Sequence, residues 1–105
     1  MPLIHSYTLV WPDGFDEDGC LIESKGWFNG LEIHIGDNRF RPVFYDPVRL
    51  SQEISDELLR DGIFSEPGLI VIASVTRMNI EAAIARMAES GELSRLFFNP
   101  DRPPE

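Results

Sequence analysis

Asn29-Gly30 restricts this chain more than any other pair of residues in it. The favoured two-residue hairpin turn needs positive φ at both central positions, and Asn-Gly adopts that geometry most readily. The pair predicts a hairpin joining a strand of about Leu21–Phe28 to one at Leu31–Gly36. A second tight turn at Asp37-Asn38 leads into a further strand, Arg39–Tyr45. Each turn fixes a register, and the two registers can be tested against each other. The second sets Ile35 opposite Phe40, Ile33 opposite Pro42 and Leu31 opposite Phe44, while the first sets Phe28 opposite Leu31. Phe28, Leu31, Ile33, Ile35, Phe40, Pro42 and Phe44 then share one apolar face, so the registers agree.

Two residues fit this meander with a qualification. Pro42 falls where its missing N–H would point away from its hairpin partner, which predicts a sheet edge there. Gly26 falls mid-strand on the core face opposite Ile33, which predicts a bulge or the close approach of a large neighbour.

The flanking segments read more simply. Leu3 to Trp11 alternates as a strand does, with Leu3, His5, Tyr7, Leu9 and Trp11 on one side. The acidic stretch Asp13 to Gly19 has no regular period and reads as a loop. Asp46 and Pro47 open a helix as N-cap and first residue, Leu50, Ile54 and Leu58 form its buried stripe with Leu59 widening it, and Gly62 ends it. Ile63 and Phe64 are expected to tuck toward the core. Leu69 to Val75 reads as an interior strand. Thr76 caps a second helix with Ile80, Ala83, Ile84, Met87 and Ala88 on its buried side and Gly91 at its end. Leu93, Leu96, Phe97 and Phe98 suit a short final turn or strand.

The predicted order is β-β-β-β-α-β-α, an α+β fold of two layers. About five strands form an antiparallel or mixed sheet, and two helices pack on one face. One domain over residues 1–98 and a flexible, proline-rich tail over 99–105 account for all 105 residues.

The same register defines a second face carrying Lys25, Trp27, Glu32, His34, Arg41, Val43 and Tyr45. Trp27 is expected opposite Glu32, and His34 opposite both Lys25 and Arg41. Indole, phenol and guanidinium groups are enriched where proteins bind proteins, so Lys25, Trp27, Glu32, His34, Arg41, Tyr45 and Arg49 form the expected interaction surface. Arg49 joins them because a cation in the first helical turn opposes the helix dipole and calls for a carboxylate partner, Asp46 or a residue of another chain.

Eighteen acidic against nine basic residues give a net charge of -9. Such a field repels nucleic acid and anionic lipid and draws in basic partners, and no Lys/Arg run could track a phosphate backbone. The loop residues Asp13, Asp16, Glu17 and Asp18 are the expected contacts for a basic partner. They fail the calcium-loop pattern, because counting from Asp13 puts Phe15 where an oxygen ligand is required.

One cysteine and two histidines, without metal-ligand spacing, predict no zinc site. Cys20 beside the acidic loop reads as an inert residue at a strand start, and no hydroxyl or thiol sits where it would be activated. No cofactor is expected. The first residues lack the basic and apolar regions of an export signal, the apolar run Leu69–Ala73 is far too short to span a bilayer, and a lone cysteine suits a reducing compartment, so the expected setting is cytoplasmic with no membrane contact.

The expected function is a non-enzymatic protein-interaction domain, pairing with itself as a homodimer through the exposed sheet face or docking a basic protein. One alternative is a small-molecule or divalent-metal binder with weak acid–base chemistry at Glu32, His34 and Arg41. The other is a purely structural domain.

Overall fold

The structure, a computed structural model, describes residues 6–97. In chain order its elements are β1 (Thr8–Val10), α1 (Gly19–Lys25), β2 (Trp27–Phe28), β3 (Glu32–Ile35), β4 (Asn38–Phe40), β5 (Val43–Tyr45), α2 (Pro47–Asp61), β6 (Leu69–Val71), α3 (Arg77–Ser90) and α4 (Glu92–Phe97). The α+β class stands, but five strands and two helices become six strands and four helices among the described residues. They form two three-stranded sheets, β1-β3-β4 and β2-β5-β6. The first is antiparallel throughout, whereas the second is mixed, with β2 antiparallel and β6 parallel to β5.

The Asn29-Gly30 hairpin does not form. Among the described residues no non-glycine has positive φ, and Gly30 is not among the glycines that do. Gly30 is small for another reason: a Cβ there would lie 2.9 Å from the Phe28 ring and 3.3 Å from Pro12. The chain passes through this crowded point and β2 pairs with β5, setting Trp27 against Tyr45 and Phe28 against Phe44.

Upstream, the expected strand Leu21–Phe28 is mostly the helix α1. Gly26 ends it in the left-handed conformation (φ +76°) and donates its N–H to the Ile22 carbonyl at 3.1 Å. Lys25 in the last turn also suits the negative end of the helix dipole. Cys20 therefore lies exposed on a helix and not at a strand start.

The second turn exists but is displaced. Gly36, at φ +58°, and Asp37 form the loop, so Ile35 meets Asn38 and Ile33 meets Phe40. Partners slide by two positions, which preserves parity, and the apolar face survives the error. Pro42 separates two strands where one was expected. It is buried between β4, an edge strand, and β5, the centre of the other sheet, and its missing N–H marks the exchange of sheets.

The capping signals of the later helices are realised. Asp46 Oδ1 accepts the Arg49 N–H at 2.7 Å, Pro47 opens α2, and Gly62 closes it at φ +75°. Thr76 Oγ1 accepts the Asn79 N–H at 3.2 Å, and Gly91 closes α3 at φ +85°. In place of a final turn or strand, α4 buries Leu93 and Ser94 completely. Leu3, Ile4, His5, Phe98 and the expected tail lie outside the described residues.

The core joins Leu31, Ile33 and Phe44 to Val75, Ile80, Ile84, Ala88 and Leu93. Phe15 enters it from the acidic loop and packs at 4.6 Å on Trp11 and 4.9 Å on Phe28. None of these residues belongs to α2. That helix crosses between the parallel strands β5 and β6 on the side of the sheet that carries Val71, so the helices do not share one face. β6 is an edge strand, not an interior one, and ends at Val71.

Candidate functional site

The expected interaction surface is divided between the two sheets. In the first, strand alternation places Glu32 and His34 on the face opposite Ile33. His34 has Thr8 and Arg39 as cross-strand neighbours, and the observed register carried one step further brings Arg41 opposite Glu32. The Glu32 carboxylate joins the other two: Oε1 lies 3.0 Å from His34 Nε2, and Oε2 accepts from Arg41 Nη2 at 2.9 Å. Hydrogen bonds from His34 and Arg41 hold the Glu32 carboxyl below the usual carboxylate range. The trio is open to water, with Arg41 60% exposed, so it lacks the water exclusion that acid–base catalysis depends on.

Tyr45 and Trp27 belong to the second sheet, and Tyr45 does not project into solvent. It is only 6% exposed, and its hydroxyl donates to Glu66 Oε2 at 2.8 Å. Burial, then the Glu66 carboxylate and the charge of Glu53, raise the phenol well above its ordinary pKa, with Arg49 opposing them. Trp27 is half-buried, and Lys25 lies exposed in the last turn of α1.

The carboxylate partner of Arg49 is Glu53, one turn on, at 2.7 Å; Asp46 serves the backbone instead. Arg49 Nε is buried without a hydrogen-bond partner. Gly26 packs directly against this corner, since a Cβ there would stand 2.6 Å from Asp46 Oδ2 and 2.9 Å from Arg49 Cβ.

The acidic loop is partly neutralised from within. Both Asp16 oxygens accept from Arg77, at 3.1 and 3.0 Å, and the Arg77 guanidinium sits 4.9 Å above the Trp11 ring. Asp13, Glu17 and Asp18 remain exposed. Among the described residues, no group of three His, Cys, Asp or Glu side chains is placed to hold a metal ion.

What the sequence left unrecognised is the exposure of α2. Its stripe was expected to be buried, yet no residue of it is fully buried, and Leu50 and Ile54 are only partly covered. Leu58 is 49% and Leu59 88% exposed, and Ile63 beyond the cap is 62% exposed instead of tucking inward. Between α2 and the sheet edge lies a groove of about 280 Å3, walled by Pro47, Leu50, Ile54 and Val71 with Ser51 and Ser55 at its sides. Val71 is 47% exposed and is the β6 neighbour of Tyr45. Both arginines of α2 are already engaged, Arg49 by Glu53 and Arg60 by Glu57 at 2.7 Å.

No helix among the described residues is long and apolar enough to cross a membrane. Compared with known protein families, curated proteins and solved structures, the chain matches none of them.

Proposed function

We propose that this chain is a protein-interaction domain that docks a basic partner on the face formed by α2 and β6. The observation that carries the proposal is an amphipathic fifteen-residue helix outside the core, where Leu58 is 49% exposed, neighbouring Val71 is 47% exposed, and Leu50 and Ile54 are only partly covered. Apolar surface left uncovered forgoes about 25 cal/mol per Å2 of burial, and contiguous patches of it on a folded protein mark interaction sites.

Charge supports a basic partner over a second copy. From Asp46 to Val71 the chain carries Asp46, Glu53, Asp56, Glu57, Asp61 and Glu66 against Arg49 and Arg60, and both arginines are paired internally. Two copies, each at -9, would bring these carboxylates together. Burial of Tyr45 also removes part of the sheet face on which self-pairing was expected to rest. The water-exposed setting of Glu32, His34 and Arg41 favours binding over catalysis as the role of the molecule. A cytoplasmic setting belongs to the same proposal, on the ground that Cys20 has no second cysteine in the chain to pair with.

A random peptide library displayed on phage, selected in parallel on the wild-type chain and on Ile54→Arg, tests the proposal. Enrichment of Lys/Arg-containing apolar sequences on the wild type, lost on the folded variant, is the expected result. Equal enrichment on both proteins, or none on either, would overturn it.

A further inference from the structure

The backbone of β6 says more about the partner than the apolar stripe does. In the parallel ladder, the Val43 N–H donates to the Gly68 carbonyl at 3.0 Å, and the Ile72 N–H donates to the Tyr45 carbonyl at 2.9 Å. The groups of β6 that face β5 therefore belong to the even-numbered residues. Those of Leu69 and Val71 point the other way, to an edge that no described strand pairs.

That edge has little of the protection native sheets give their borders. Leu69-Ile70-Val71 contains no charge and no proline, and its protection is its shortness and the Glu66-Pro67 that precede it. By contrast, the edge strand β4 carries Arg39 and is followed by Arg41 and Pro42.

Side-chain alternation completes the picture. Val71, the cross-strand neighbour of Tyr45, turns to the α2 side, while Ile70 packs against the core. A strand laid along β6 would send alternate side chains toward Leu50, Ile54 and Val71, and its backbone would satisfy the outward groups of Leu69 and Val71. A helix could fill the groove but has no free backbone groups to offer, because its own bonds use them. Glu66 and Glu53 both act on Tyr45, the β6 neighbour of Val71, and among the described residues Arg49 opposes them. A basic side chain from the partner suits this corner, and a second copy of the acidic chain does not.

We infer that the partner is an extended, basic segment of another protein that adds as a strand to the free edge of β6, with alternate apolar side chains seated against Leu50, Ile54 and Val71. This rests on the docking proposal above and narrows it.

The test uses two short capped peptides of identical Leu/Lys composition, one with strictly alternating residues and one ordered with a helical period. Each is titrated into the intact chain, into Ile54→Arg and into Val71→Pro. Proline at 71 removes an outward donor that takes no part in the β5 ladder.

The alternating peptide should bind about tenfold more tightly than the helical one, the value of one or two extra hydrogen bonds. Val71→Pro should remove about that advantage, and amide exchange at Leu69 and Val71 should slow in the wild-type complex. If Val71→Pro does not fold, the exchange measurement decides. Tighter binding of the helical peptide, lost in Ile54→Arg, would overturn strand addition while leaving the docking face in place. Binding of neither peptide would overturn both. So would a dimer in light scattering that Ile54→Arg converts to a monomer, because a second copy would then own the face.

Discussion

Gly26 carries two constraints at once: a left-handed backbone at φ +76°, and a side-chain position filled by Asp46 and Arg49. Gly36 carries only the first, since at φ +58° it has open space around it. Gly36→Ala should cost about 1 kcal/mol, the usual strain of a side chain in that region. Gly26→Ala should cost about 2 kcal/mol more, since the helix cap of α1 and the start of α2 must move apart. Urea unfolding of the two variants measures the difference, and equal losses would mean that the close packing has no energetic weight. Tyr45 gives a second test. Its folded-state pKa lies above the unfolded value of about 10, so the protonated hydroxyl contributes its full stability below that pH. The contribution drains away as pH rises from there through the folded-state value. The phenolate absorbance lost in Tyr45→Phe should accordingly appear only well above pH ~10 in the wild-type chain, and together with unfolding if the fold gives way first.

At the scale of elements, α2 behaves unlike α3. Ile84 is fully buried and Leu58 is half exposed, so Ile84→Ala should cost about 2–5 kcal/mol and Leu58→Ala under about 1 kcal/mol. Comparable losses in thermal or urea unfolding would show that α2 is part of the core after all. The contrast also shows what could be read from sequence. Asp46, Pro47, Gly62, Thr76 and Gly91 set helix ends through bonds within a few residues, and a local signal suffices to find them. Strand partners are chosen across the whole chain. Asn29-Gly30 had the chemistry of a hairpin turn, but Phe28 finds better company against Phe44, and crowding by Phe28 and Pro12 explains the glycine. The displaced turn at Gly36-Asp37 did no harm, because a slip of two keeps side chains on their faces. Glu32, His34 and Arg41 share a face for that reason, although Arg41 lies opposite Glu32 and not His34 as expected. Amphipathic spacing shows that Leu50, Ile54 and Leu58 form a face, but not what covers it. Nothing local in the sequence places Glu66 against Tyr45, or Asp16 against Arg77.

At the scale of the molecule, the charge of -9 governs how partners arrive. Association with a basic peptide should slow steeply as salt rises, while dissociation from the apolar groove changes little. Stopped-flow rates at low and high ionic strength check this, and salt-independent association would remove charge from the recognition. The asymmetry of the fold points the same way. Its core unites the sheets with α3 and α4, whereas α2 and the β6 edge lie outside it, on the side where carboxylates outnumber arginines. The most direct measurement is a two-dimensional amide NMR titration of the labelled wild-type chain with the alternating Leu/Lys peptide. Shifts concentrated at Leu50, Ile54, Leu69 and Val71 are the expected result. Shifts confined to Glu32, His34 and Arg41 or to Asp13, Glu17 and Asp18, with α2 and β6 undisturbed, would contradict it.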